Sequence, residues 1–155
     1  MEVTYVEAMA GWVEHRLHEC VCAGAPRLYG LEVLDAACFA DVDGCHGPAA
    51  RLSFVGEAAD ASALVLGAPC AAAVGGFDAV VLVTTRWEPA AVPLPRPGGH
   101  PVRRRARVVT VVGDAGTASA VRFDHEPERV LVVRGLACAG IAGVQLAAMW
   151  SARAA

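Results

Sequence analysis

The chain contains no lysine and no asparagine, and Ile141 is its one isoleucine. All 13 basic residues are therefore arginine, while alanine and valine dominate the apolar residues. This avoidance of residues with AT-rich codons is typical of a very GC-rich genome. Arginine-rich segments then reflect codon supply in part, so an arginine cluster needs further evidence before it indicates a binding site.

The first dozen residues lack the apolar run of a signal peptide and carry Glu2 and Glu7. This predicts a cytoplasmic protein, in which thiols are normally reduced. The cysteines are Cys20, Cys22, Cys38, Cys45, Cys70 and Cys138. We expect them to be free thiols that behave as small hydrophobic groups in apolar surroundings.

Catalytic signatures are also missing. No serine lies in a Gly-x-Ser-x-Gly setting, and the His-x-Glu and Cys-x-x-Cys pattern of zinc deaminases does not occur. Asp41 and Asp43 form a fragment of a calcium loop without its distal glutamate. The sequence therefore favours a protein that is not an enzyme.

What the chain does have is a large apolar content and a divided charge. At 155 residues and 55% hydrophobic content it is long enough for one domain with a substantial core, which excludes overall disorder. The net charge of -3 divides into -7 over residues 1–60 and +4 over residues 61–155. Such asymmetry attracts an acidic partner or makes two copies complementary.

Apolar side chains at spacings of three and four predict an amphipathic helix over residues 3–22 that ends before Gly24 and Pro26. The apolar stripe consists of Val6, Ala10, Val13, Leu17 and Val21, and the solvated face is expected to carry Glu7, Glu14, His18 and Cys22. Propensity predicts a short helix over residues 57–66, closed near Gly67 and Pro69. A second long helix is predicted over residues 136–150.

Strands are predicted at residues 28–40, 51–55, 79–84, 103–112, 118–123 and 130–133. If Ala115 and Gly116 form the turn of the 103–123 hairpin, Arg107 faces Asp124 and Arg105 faces Glu126, as opposite-charge pairs on a solvated face. Five prolines and two glycines predict an irregular loop over residues 88–101.

This element order predicts a single α+β domain over residues 1–155, with an antiparallel sheet of about five strands and the N-terminal and C-terminal helices packed on one of its faces. The order is similar to that of roadblock, profilin and PAS-like domains. Residues 66–69 and 77–87 and the hairpin 107–123 resemble small uncharacterised proteins of actinomycete genomes. That resemblance implies no activity, because the family has none assigned.

Two candidate sites follow from clusters of residue types. An arginine patch of Arg96, Arg103, Arg104, Arg105 and Arg107 favours a polyanion such as nucleic acid, because guanidinium groups bind phosphate bidentately. A zinc site formed by His18, Cys22, Cys45 and His46 rests on the four-residue helical spacing of the first two. The alternative to the arginine patch is a solvated, ion-paired strand end. The alternative to the zinc site is a solvated helix face with two buried thiols.

The apolar segment 136–150 is too short for a membrane span, since fifteen helical residues extend only about 23 Å. It is expected to pack against the sheet, and its small residues Ala139, Gly143 and Ala147 allow close approach of a second copy. The leading hypothesis is a non-enzymatic cytoplasmic module that binds a protein or ligand, without a cofactor, as a homodimer through this helix or a free sheet edge. Polyanion binding and a small zinc-dependent hydrolase are the alternatives.

Overall fold

The computed structural model describes residues 5–18, 24–36, 39, 49–89, 103–124 and 126–153, with the backbone alone at 87–89 and 103–104. In chain order the elements are α1 (Tyr5–His18), β1 (Arg27–Val33), β2 (Ala50–Glu57), α2 (Ala61–Val65), α3 (Ala68–Gly76), β3 (Ala79–Pro89), β4 (Arg103–Gly113), β5 (Gly116–Phe123), β6 (Val130–Arg134) and α4 (Gly140–Ala152).

The strands form one open, six-stranded sheet in the order β2-β1-β3-β4-β5-β6. Every neighbouring pair is antiparallel. The α+β class and the antiparallel sheet predicted from the sequence are therefore confirmed. The edges of the sheet are β2 and β6.

Helices cover both faces of this sheet, so the expectation of one covered and one wet face is wrong. On one face α1 packs on Val81, Val109 and their neighbours. On the other face α2, α3 and α4 pack on Val80, Leu82 and Val112. Consecutive residues of β3 and β4 are buried for this reason, as is usual for strands covered on both sides.

The apolar stripe predicted for the first helix is confirmed over α1, where Val6, Ala10, Val13 and Leu17 are buried. Glu14 was expected on the solvated face, and this is wrong, because it is fully buried. Its position explains the burial. Glu14 follows Ala10 by four residues and precedes Leu17 by three, which places it inside the stripe.

The predicted helix 57–66 is shorter, and a second helix follows it. α2 begins after Asp60, whose Oδ1 accepts the Ser62 N–H at 3.1 Å as an N-cap. Pro69 lies in the first turn of α3, where a missing N–H is tolerated, so this proline begins a helix and does not close one.

The predicted irregular loop also begins later than expected, because residues 88 and 89 pair with Arg104 and Arg103 at the end of β3. The rest of that segment, residues 90–101, lies outside the described residues.

The β4–β5 hairpin has a different register from the one predicted. Gly113 pairs with Gly116, so Asp114 and Ala115 form the turn and Arg107 faces Arg122 instead of Asp124. Thr110 faces Ser119, and their hydroxyl oxygens are 2.9 Å apart. A shift of two residues leaves each side chain on its predicted face but changes every cross-strand partner.

α4 lies against the sheet through its small residues. Gly143 lies over Thr110 of β4, and a Cβ there would be 3.5 Å from Thr110 Cγ2, an ordinary contact, but only 2.7 Å from Ala139 Cβ at the start of the same helix. The small-residue strip that was considered for a dimer therefore serves packing within the chain. The opposite side of α4 carries exposed apolar residues instead.

Candidate functional site

The charged cluster around Glu14 joins α1 to the middle of the sheet. Arg122 donates from Nε to Glu14 Oε1 at 2.7 Å and from Nη2 to Oε2 at 2.6 Å. Arg107 donates from Nη2 to Oε1 at 2.5 Å. The carboxylate is 0% exposed, and the arginine side chains are 13% (Arg107) and 11% (Arg122) exposed.

The hairpin register creates this cluster. Because Arg107 and Arg122 are directly opposed on β4 and β5, their like charges repel unless a countercharge lies between them. Burial alone would raise the pKa of Glu14, but hydrogen bonds and the positive charges of Arg122 and Arg107 outweigh it and lower that pKa. The carboxylate is therefore ionised and holds both guanidinium groups.

His18 ends α1 beside the same cluster. Its Nδ1 is 3.1 Å from Arg107 Nη2, and since a guanidinium can only donate, this nitrogen accepts. His18, Thr85, Arg107, Arg122 and neighbouring residues line a small open cleft of about 240 Å³. The main effect of these contacts is to attach α1 to the sheet.

A larger cleft of about 560 Å³ lies at the opposite end of the sheet, between the start of α1 and the β4–β5 turn. We call it the sheet-end cleft. Its lining comprises Tyr5, Val6, Met9, Val33, Phe77, Asp78, Gly113, Asp114, Ala115 and Arg153. Its accessible lining is more polar than apolar, with the apolar side chains of Val6, Met9 and Phe77 beside the charged groups of Asp78, Asp114 and Arg153.

The polar groups of the sheet-end cleft are fixed by neighbouring elements. Asp78 Oδ2 accepts the Val33 N–H at 2.8 Å. Asp114 Oδ1 accepts from Trp150 Nε1 at 3.0 Å and from Arg153 Nη2 at 2.7 Å. The Arg153 guanidinium also stacks on the Trp150 ring, 3.7 Å from its centroid.

Two side chains of this cleft have shifted pKa values. Hydrogen bonds from Arg153 and then from Trp150 lower the pKa of Asp114. Burial, followed by the negative charge of Asp78, raises the pKa of Tyr5. Asp114 is accordingly a carboxylate and Tyr5 a neutral hydroxyl at neutral pH.

Exposed apolar side chains are concentrated in one stretch of the chain, on both sides of the sheet, because Val132 lies beside Gly11 of α1 whereas α4 packs on the opposite face. Among the described residues, eight large hydrophobic side chains are exposed, and four of them fall within residues 132–144. These four are Val132, Leu136, Ile141 and Val144, which we call the β6–α4 surface. Ile141 is 78% exposed, the highest value of the set.

The predicted arginine patch is partly accounted for. Arg107 is engaged by Glu14, and Arg105 Nε lies 3.8 Å from Asp124 Oδ2. Arg103 and Arg104 lie at the start of β4, where the structure describes only the backbone. Arg96 lies in a segment outside the described residues. Polyanion binding through this set stays a prediction.

The predicted zinc site lies mostly outside the described residues and stays a prediction. His18 is described, whereas Cys22, Cys45 and His46 lie outside the described part of the chain. Among the residues that are described, no group of three or more potential ligands converges. Cys70 is a buried free thiol, and burial raises its pKa.

None of the described helices combines the length and apolar character needed to cross a membrane. No protein-family model, curated protein or solved structure matches the chain. The similarity to actinomycete proteins, like the function, is a prediction that these comparisons leave open.

Sequence reasoning missed most of the residues that shape these sites. For Glu14 a signal existed, because its position inside the apolar stripe marks it as buried. Arg122, Asp78 and Asp114 carried no such signal, since their partners come from distant parts of the chain.

Proposed function

We propose that the chain is a cytoplasmic, non-enzymatic binding module that acts as a homodimer, with the β6–α4 surface as the contact between two copies. The observation that carries this proposal is the concentration of exposed apolar side chains at residues 132–144. Exposed apolar patches of this kind commonly mark protein contacts.

The adjoining sheet edge gives this surface a way to pair. β6 bonds to β5 on one side, and no strand of the described residues pairs with its other side. Its five residues, Val130–Arg134, contain four consecutive apolar residues and no proline, so nothing in the strand blocks further pairing. Two copies related by a twofold axis would continue the sheet across β6, a common arrangement in homodimers.

The β6–α4 surface includes both dimer contacts predicted from the sequence, the C-terminal helix and a free sheet edge. β6, the turn after it and the first turns of α4 are consecutive in the chain. The Val132 side chain lies on the α1 side of the sheet and α4 covers the other side, so the proposed contact includes both sides of the β6 edge. Burial of side chains of this size stabilises an interface by about 1.5–3 kcal/mol each.

Light scattering coupled to size-exclusion chromatography tests the proposal. We expect a mass twice that of the 16.0 kDa chain at micromolar concentration. Ile141→Asp should raise the dimer dissociation constant at least about 100-fold, because both copies lose a buried side chain. The fold should survive, since Ile141 is exposed and aspartate is favourable in the first turn of a helix.

A matched control lies at the other edge of the sheet. Phe54 of β2 is also large, apolar and exposed, and Phe54→Ser should leave the dimer intact. A wild-type mass of one chain at every accessible concentration would contradict the proposal. So would a dimer that Phe54→Ser dissociates and Ile141→Asp does not.

A further inference from the structure

We propose that the sheet-end cleft binds a small organic cation, an amine with an aromatic or aliphatic body, whose ammonium group pairs with the Asp78 carboxylate. The cleft volume of about 560 Å³ is within the range of small-molecule sites. This site is separate from the β6–α4 surface, and its test does not depend on the homodimer.

Asp78 presents a fixed carboxylate to the cleft. Its backbone N–H donates to the Leu31 carbonyl at 3.0 Å, and its Oδ2 accepts the Val33 N–H at 2.8 Å. A carboxylate has lone pairs for about four hydrogen bonds, so this anchoring leaves acceptor capacity for a ligand. A carboxylate held in place loses little entropy when a cation binds.

The apolar wall of the cleft is preorganised as well. The Phe77 ring lies over Gly30 of β1, where any Cβ would run into it, so the missing side chain at Gly30 makes room for the ring. Val6 and Met9 from α1 form the facing wall. These groups suit the hydrocarbon body of a ligand whose charged end reaches Asp78.

The charges of the cleft favour a cation over an anion. Two carboxylates, Asp78 and Asp114, line it against one guanidinium, Arg153. Arg153 is already bound to Asp114 at 2.7 Å and stacked on Trp150. Among the described residues that line the cleft, the uncompensated charge is therefore negative and lies at Asp78, beside the neutral hydroxyl of Tyr5.

Titrations followed by ¹H–¹⁵N NMR test this assignment with three probes of similar size: 2-phenylethylammonium, 2-phenylethanol and 3-phenylpropionate. We expect the ammonium probe to bind and to shift the amide signals of Val33, Asp78 and Gly113. The neutral alcohol should bind at least about tenfold more weakly, because it lacks the charge-assisted bond, and the carboxylate weaker still. Equal binding of amine and alcohol would overturn the proposal, as would no binding of the amine.

Asp78→Asn provides the decisive variant. Its amide oxygen can still accept the Val33 N–H, so the strand end keeps its hydrogen bond while the charge is removed. We expect about tenfold or greater loss of affinity for the ammonium probe and little change for the alcohol. Asp124→Asn, an exposed carboxylate paired with Arg105 outside this cleft, should change neither affinity. Unchanged amine affinity in Asp78→Asn overturns the assignment.

Discussion

Glu14 is a charged side chain in the middle of a hydrophobic interface, between α1 and the strands β4 and β5. It is retained there because two arginines of the sheet need its charge and because its own oxygens accept three short hydrogen bonds from them. Buried ion pairs add little net stability over apolar replacements, but removal of one partner leaves the remaining buried charges unpaired. At the residue scale this makes Glu14 the most sensitive polar position of the described chain.

Glu14→Gln should lower the free energy of unfolding by about 3–5 kcal/mol at about pH 7, because two guanidinium groups then lose their buried countercharge. Urea denaturation followed by circular dichroism measures this. Glu57→Gln is a suitable control, since Glu57 pairs with Arg27 in an exposed bridge and should matter little. Equal effects of the two substitutions would contradict a special role for Glu14.

The lowered pKa of Glu14 predicts how the stability of the fold changes in acid. The pKa of Glu14 is lowered in the folded protein, so its contribution is complete above the unfolded value of about 4.3 and is lost as the pH falls through the folded value. Wild type should therefore lose more stability than Glu14→Gln between about pH 5 and about pH 2. Parallel pH profiles would count against this explanation.

At the scale of elements, the start of α4 depends on one glycine. Gly140 has φ +69°, in the left-handed region, and its missing side chain leaves room for the Arg86 guanidinium. Arg86 in turn donates to the Cys138 carbonyl just before the helix. This contact fixes where α4 begins relative to β3, and so directs Leu146 and Trp150 into the core.

Gly140→Ala should lower the free energy of unfolding by about 1–3 kcal/mol, since alanine is strained at that φ and its Cβ would displace Arg86. Gly75→Ala is the matched comparison within α3. Apart from its chain neighbours and the backbone of its own helix, no atom of the described residues lies within 4 Å of a Cβ at Gly75, so this change should stabilise by about 0.5–1 kcal/mol. Urea denaturation of both variants measures the difference, and the same sign for both would refute the assignment.

For the whole molecule, the central fact is a sheet covered by helices on both faces and open at both edges. β3 and β4 occupy the middle of it, with Val80, Val81, Val108 and Val109 buried. The edges differ in character, because β2 carries the Arg51–Glu32 and Arg27–Glu57 ion pairs with β1, while β6 is predominantly apolar. Charged side chains protect an edge from pairing, which leaves β6 as the edge that favours association.

Hydrogen exchange should show the difference between the central strands and the edge strands. Amides of Val81 and Val109 are expected to exchange only through global unfolding, whereas β2 amides exchange through local opening. In the proposed dimer the β6 amides should be protected, and Ile141→Asp should speed their exchange while leaving Val81 and Val109 unchanged. Equal β6 exchange in both proteins would argue against edge pairing.

The sequence alone predicted the α+β class, an antiparallel sheet of about five strands where the structure has six, and the buried stripe of α1, because each of these depends on a local periodicity or a turn signal. The β4–β5 register was wrong because it assumed a turn at Ala115 and Gly116, and the opposite-charge pairs within the hairpin agreed with that assumption. The countercharge of Arg107 and Arg122 comes instead from Glu14, which is 93 residues before the first arginine and 108 before the second.

Only the tertiary structure decided that both faces of the sheet are covered, that Glu14 joins two arginines, and that Asp78 and Asp114 share a cleft. The physical reason is the same in each case. Local patterns record which side chains avoid water, whereas the partner of a buried charge or the opposite wall of a cleft depends on which distant elements the folded chain brings together.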